Sequence, residues 1–164
     1  MATTFTNNAK AVSDGLKTIL LGEFTATGGS PNIDVVIDNA FDSGRLARKG
    51  EYIRIGLEGS PFVSDSSDGE TRDYEFTISY YMDLYKQKQR EWEDYLSNRM
   101  EHIRKLIKNN ESYSPSDVYT WHKAVIKEIA RPMSLFEAES IEGEGLENIR
   151  VIKMNVTITR GNFA

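Results

Sequence analysis

The chain has 164 residues, a formal net charge of −5 and no cysteine, and 39% of its residues are hydrophobic and 27% charged. This composition is ordinary for a water-soluble globular protein, so we interpret residues 1–164 as a single domain that buries one substantial core. It excludes a disulfide framework and a membrane span of about 20 apolar residues, and the negative charge argues against tight binding to nucleic-acid phosphates.

The first third of the chain predicts a helix followed by two strands. Residues 9–21 place apolar side chains at helical spacing, which predicts a helix that ends at Gly22. Residues 33–38 are rich in β-branched side chains and predict a short strand. In residues 52–58, Ile53, Ile55 and Leu57 alternate with mostly polar residues, which predicts a second strand. The segments between these elements are polar or rich in glycine, so we interpret them as connections.

Residues 59–70 join the second strand to the third through a run of glycine, serine, proline and aspartate. A structureless connection of about a dozen residues is uncommon in a compact domain and tends to carry function or to be disordered. Ser64 to Glu75 copies the spacing of an EF-hand calcium loop, but serine stands at the first two ligand positions and Glu75 falls in a strand. We therefore interpret the segment as a solvated loop and expect no metal or cofactor site in the chain.

The strongest pattern covers residues 72–85 and 87–109. Every second residue from 74 to 84 is apolar, and the residues at the alternate positions are polar except Tyr81 and Tyr85, which predicts a long strand with one buried face. From residue 87 onward the apolar side chains recur every three to four positions, which predicts a long amphipathic helix. Because neither stripe can be buried alone, we expect the helix to pack on the apolar face of the strand.

The C-terminal third predicts two further strands. Residues 118–130 fit either a helix face or a strand, and their β-branched content favours the strand. Residues 136–148 contain five glutamates and predict an exposed acidic loop, which is either a solvated connection or a surface that meets a basic partner or repels DNA. Residues 149–160 alternate clearly and predict a long strand. The fold class is therefore α+β: a single antiparallel sheet with two helices on one face, in the order α-β-β-β-α-β-β.

No catalytic constellation accompanies these elements. His102 and His122 lack an acid or nucleophile at a diagnostic spacing, so we interpret both as surface or interface side chains. Aromatic and basic residues are interleaved over residues 85–104, but the aromatic ones fall on the apolar stripe, which favours core packing over stacking on bases. We therefore expect a protein that is not an enzyme.

The layout of the elements carries a resemblance to a known family. A short strand, residues 34–39 (Asp-Val-Val-Ile-Asp-Asn), precedes residues 51–57 (Glu-Tyr-Ile-Arg-Ile-Gly-Leu) and a long hairpin connection into residues 74–81 (Tyr-Glu-Phe-Thr-Ile-Ser-Tyr-Tyr). With the flanking helices and final strands, residues 9–160 resemble the tail terminator, or tail-completion, proteins of long-tailed bacteriophages.

The resemblance implies a structural protein of the virion that is assembled in the host cytoplasm. Such proteins form a hexameric ring on the last ring of the tail tube, stop its polymerisation and join head-side neck proteins, while DNA passes through the lumen without specific binding. Their partners are thus sibling copies, the tail tube protein and a connector, with no membrane. Our interface hypothesis comprises seven residues: Phe62, Val63, Asp65, Asp68, Glu70, Glu142 and Glu144. The alternatives are another neck component, such as a head-completion or tube protein, and a small soluble binding domain or enzyme.

Overall fold

A computed structural model of the chain describes residues 8–24, 33–38, 40–44, 50–60, 62–66, 69–84, 91–115 and 121–162. In chain order its elements are helix α1 (Asn8–Phe24), strands β1 (Asp34–Ile37), β2 (Glu51–Gly59), β3 (Phe62–Ser66) and β4 (Gly69–Asp83), helix α2 (Trp92–Asn109), strands β5 (Lys123–Ile129) and β6 (Met133–Ser134), helix α3 (Leu135–Glu139) and strand β7 (Ile149–Asn162). The α+β class is confirmed. The element order matches the prediction roughly, with β3, β6 and α3 added.

The strands form one sheet in the order β1-β2-β4-β7-β5, with β3 pairing with β4 and β6 with β7. The sheet is mixed, so the prediction of a purely antiparallel sheet was wrong. β1 runs parallel to β2, whereas the other strand pairs are antiparallel. Parallel neighbours need a crossover of a dozen or more residues, and residues 38–50 are long enough to return the chain to the end where β1 begins.

The connection predicted over residues 59–70 is largely a β-ribbon. β3 pairs with the first residues of β4, with Phe62 opposite Arg72 and Ser66 opposite Gly69. Both β2 and β3 pair antiparallel with β4, so together they form one strand of a long hairpin. The pairing is irregular where the register shifts between Leu57 and Gly59. Residues 61, 67 and 68 lie outside the described residues. Backbone pairing therefore replaces the structureless loop expected from the glycine-rich and serine-rich composition.

Helices α1 and α2 pack on the same face of the sheet, as predicted. Leu96, Met100, Ile103 and Ile107 on α2 are at most 1% exposed and belong to one core with the apolar face of β4. Helix α1 does not stop at Gly22 but continues to the buried Phe24, whose ring lies 5.0 Å from that of His102. Burial of Phe24 against α2 thus overrides the local stop signal.

A second, smaller core lies on the opposite face of the sheet and was not predicted. It contains Val36, Tyr52, Tyr81, Leu135, Ile149 and Val151. Tyr52 and Tyr81 stack with ring centroids 4.8 Å apart, which explains why Tyr81 interrupts the alternation of its strand. Helix α3 covers this core, so the first residues of the segment predicted as an acidic loop are helical instead.

The ambiguous segment before the last strands contains a strand, as preferred from sequence. β5 pairs with β7. Residues 116–120 at the start of the predicted segment lie outside the described residues, as do residues 85–90 at the start of the predicted long helix. Trp121 is buried ahead of β5, and its indole Nε1 donates to the carbonyl of Asn110 at 3.0 Å. This bond ties the entry to β5 to the end of α2, where Asn110 follows the last helical residue.

Candidate interaction surfaces

The sheet face opposite α1 and α2 is covered by α3 at one end, and in the part of the chain that the structure describes no helix covers its other end. Asp73, Glu75 and Thr77 on β4 point to this face with Asn155 and Thr157 on β7; Thr157 is buried and the other four are not. Short polar bonds cross the strands here: Thr159 Oγ1 donates to Asp73 Oδ1 at 2.6 Å, and Thr77 Oγ1 donates to Asn155 Oδ1 at 3.1 Å. The uncovered end is therefore a polar surface whose side chains form hydrogen bonds across the strands.

Charge on the uncovered end is weighted toward carboxylates. Asp73 and Glu75 are joined there by Glu128, which lies opposite Asn155, while Lys123 lies opposite Thr159. Glu75, Glu128 and Lys123 are exposed. This part of the sheet can therefore repel phosphates at short range.

The covered end is closed by a buried ionic cluster around Glu139 on α3. Glu139 Oε1 accepts hydrogen bonds from Arg54 Nη2 at 2.7 Å, Tyr81 Oη at 2.9 Å and Lys153 Nζ at 3.0 Å. Arg54, Ser79 and Lys153 are register partners across β2, β4 and β7, so both cations rise from one row of the sheet. The side chains of Arg54 and Glu139 are only 10% and 11% exposed. The cluster thus fastens α3 to three central strands.

The titration of these groups reflects their burial and pairing. Burial alone would raise the pKa of Glu139, but hydrogen bonds from Lys153 and Tyr81 and the charge of Arg54 hold it below the usual 4.5. Burial raises the pKa of Tyr81, opposed by Arg54 and reinforced by Glu139. At neutral pH the cluster therefore contains a charged Glu139 and a neutral Tyr81.

A comparable network fastens α2 to the other face of the sheet. Glu51, which is 6% exposed, accepts hydrogen bonds from Tyr80 at 2.9 Å and from Tyr95. Arg99 Nη2 donates to Tyr95 Oη at 3.1 Å. Burial and the nearby Glu51 carboxylate raise the pKa of Tyr80, which keeps this phenol protonated as a donor. The sequence offered no signal for this network, because its members lie on three separate elements.

A groove opens beside α3, between that helix and residues 141–147. Its volume is about 590 Å³, and its lining combines apolar and acidic side chains: Ser134, Leu135, Phe136, Ile141, Glu142, Gly143, Leu146 and Glu147. Phe136 is 57% exposed, one of two large hydrophobic side chains described as exposed. The groove is therefore an apolar surface with carboxylates at its rim.

Both edges of the sheet are open in the part of the chain that the structure describes. β1 pairs only with β2, and β5 only with β7. An edge strand presents unpaired backbone groups that can add a strand from another chain. β5 carries the exposed charges Lys123, Lys127 and Glu128, which disfavour indiscriminate pairing.

The predicted interface residues fall into two separate groups. Phe62, Val63 and Asp65 lie in β3 and Glu70 lies in β4, all in the ribbon, while Asp68 is outside the described residues. Glu142 and Glu144 are exposed beside the groove, in the segment that leads into β7. Because the ribbon lies at the start of β4 and Ile149 pairs with its last residue, the two groups are at opposite ends of a strand about 45 Å long. The structure does not bring them into one site.

The histidines take separate positions in the fold. His102 Nε2 lies 2.7 Å from Glu23 Oε1 and links α2 to α1, and His122 is exposed beside β5. No group of three or more metal-ligating side chains occurs among the described residues. The helices in the same residues include none with the length and apolarity to span a membrane.

Comparison with known proteins gives a likeness of fold. No protein-family model matches this sequence, and no curated protein sequence matches it. A chain in a solved structure described as the virion of a native gene transfer agent particle superposes with a TM-score of 0.57 at 14% sequence identity. The match covers 96% of this chain and 100% of that chain. The two chains therefore share a fold over nearly their whole lengths.

Proposed function

We propose that this chain is a structural protein of a phage-like virion. The observation that carries the proposal is the shared fold with a chain of a gene transfer agent virion, which covers that chain completely. The described polar clusters support it, because Glu139 and Glu51 are engaged by neighbouring side chains that fasten helices to the sheet. Such groups stabilise the packing of helices on a sheet, as a structural protein requires.

Within that class we propose a tail terminator, which forms a ring, caps the tail tube and provides a surface for the head-side connector. A closed ring needs a heterologous interface, in which one face of a subunit meets a different face of the next. The open edges at β1 and β5 lie on opposite sides of the sheet and are suited to this contact. The ribbon and residues 141–147 lie at the two ends of β4, so one end can meet the tube and the other the connector.

The uncovered end of the sheet face opposite α1 and α2 suits the lumen of such a ring. Asp73, Glu75 and Glu128 would give the wall a negative potential, which lets DNA pass without adhering. Helices α1 and α2 on the other face would then lie on the outside.

The alternative is another neck component of the same kind of particle, such as a head-completion or tube protein. An open-edged sheet with a packed helix also suits those assemblies. The difference between them is growth: a tube protein continues to polymerise, whereas a terminator closes at a fixed height.

Native mass spectrometry and electron microscopy test the proposal on the full-length protein, alone and with tail tube subunits. We expect closed rings of fixed height that bind tube ends and stop their growth. Tubes of indefinite length would favour the alternative. A monomer at every concentration that leaves tube growth unchanged would refute a structural role in the tail.

A deletion within the ribbon tests whether the ribbon is the end of the subunit that contacts the tube. Among the described strands β3 pairs with β4 alone, so removing residues 63–69 should leave the pairing of β2, β4, β7 and β5 intact. We expect an unchanged unfolding transition and impaired capping of tubes. The matched control is E142Q/E144Q at the opposite end, which should cap tubes normally. Equal capping by both variants would rule out the ribbon as the tube contact.

A further inference from the structure

We infer that the groove between α3 and residues 141–147 is a docking site for a short segment of another protein, in which apolar side chains alternate with lysine or arginine. This inference does not depend on ring formation or on the identity of the particle. It rests on the shape, charge and rigidity of the groove.

The apolar part of the groove supplies the contact area. Leu135 is 1% exposed and closes the floor, whereas Phe136, its neighbour, is 57% exposed at the wall. Ile141 and Leu146 line the remainder. A volume of about 590 Å³ accommodates a few side chains of a partner, and exposed aromatic residues beside a pocket commonly act as binding anchors.

The rim determines which partner fits. Glu142 and Glu147 line the groove and Glu144 lies between them, and none of the three forms an ion pair among the described residues. Two cations lie nearby in the part of the chain that the structure describes. Arg131 pairs with Glu137 at 2.9 Å, and Arg150 donates to the Glu147 carbonyl and lies over the Trp92 ring. Among the described residues the rim therefore carries three carboxylates beside the single guanidinium of Arg150, and this net negative charge attracts a basic partner and repels phosphate groups.

The groove is preformed. Ser134 caps α3 by accepting from the Glu137 amide at 3.2 Å, and the Ser140 amide donates to the Phe136 carbonyl at 2.8 Å. On the opposite wall the Leu146 amide donates to the Gly143 carbonyl at 3.1 Å, near Gly145 with its φ of 82°. A wall that is fixed before binding loses less conformational entropy when a segment docks.

Fluorescence anisotropy with the labelled peptide Lys-Leu-Lys-Phe-Lys-Leu-Lys tests the inference on the full-length protein. Two comparison peptides replace every lysine by glutamate or every apolar residue by serine. We expect the basic apolar peptide to bind, the other two to bind at least about tenfold more weakly, and added salt to weaken binding. Backbone NMR shifts should change around α3 and residues 141–147.

Matched variants separate docking in the groove from general attraction to an acidic protein. F136S and E142Q/E144Q/E147Q should each weaken binding about tenfold. The control E93Q/E101Q/E111Q removes three exposed carboxylates on and after α2 and should leave binding unchanged. Equal losses in both triple variants, or shift changes elsewhere, would overturn the inference. Self-association abolished by F136S would also overturn it, because the occupant would then be a second copy.

Discussion

Replacing Glu139 by glutamine removes one charge from the cluster that fastens α3 to the sheet while keeping the volume of the side chain. Arg54 is 10% exposed and its Nη2 pairs with Glu139 Oε1 at 2.7 Å, whereas its Nε has no hydrogen-bond partner among the described residues, so Glu139 is the carboxylate that neutralises it there. Breaking a buried ion pair from one side typically costs about 3–5 kcal/mol, because the remaining charge stays buried. Lys153 is 24% exposed and can turn to water, so we expect the lower end, about 3 kcal/mol.

Urea and thermal unfolding measure this effect. A loss of about 3 kcal/mol lowers the melting temperature of a chain of this size by roughly 6–12 °C. The matched control is E101Q, whose partner Arg104 is on the exposed surface of α2, and we expect no measurable change.

The pH dependence provides a second, independent signature. Because the pKa of Glu139 is lowered in the folded state, its contribution is fully present above about pH 4.5 and is lost as pH falls through the folded value. The difference between wild type and E139Q should therefore be largest at neutral pH and should shrink in acid. An E139Q variant as stable as wild type at pH 7, or a difference that does not change with pH, would refute this account.

Three further predictions concern single residues. G22A should raise the free energy of unfolding by about 0.5–1 kcal/mol, because Gly22 lies within α1 with nothing within 4 Å of an added Cβ; a lower stability in urea denaturation would contradict this. M100A should lower it by about 2–5 kcal/mol through the cavity left on the buried face of α2, and a loss far below that range would mean that the core collapses around the site. Burial raises the pKa of Tyr52 to about 12, so the stability it contributes is present below about pH 10 and is lost as pH rises toward 12. Y52F should flatten that alkaline loss in pH-dependent unfolding, and an identical slope would rule out Tyr52 as its source.

The local periodicity of the sequence was sufficient to identify the main helices and strands. Alternation identified the long strand β4, and the helical stripe identified the buried side chains of α2, because each pattern repeats within one element. The choice between helix and strand for the segment containing β5 was also correct, since β-branched residues favour a pleated surface.

Contacts between distant segments decided the remaining features. The parallel direction of β1 requires that the connection between β1 and β2 return the chain to the end of the sheet where β1 begins. Composition does not reveal whether a connection does this. The second core depends on α3 folding back over the stacked Tyr52 and Tyr81. Residues 136–148 contain five glutamates, and what distinguishes the largely buried Glu139 is that Arg54 and Lys153 lie beneath it on the sheet, which composition does not reveal.

For the candidate surfaces, the sequence alone determined that residues 59–70 and 136–148 differ in composition from the core, and that the chain carries excess negative charge. Only the tertiary structure placed the ribbon and residues 141–147 at opposite ends of β4 and left Phe136 exposed beside an acidic rim. The physical reason is that spacing along a chain fixes which face of an element a side chain occupies, whereas strand register and helix docking fix which faces meet.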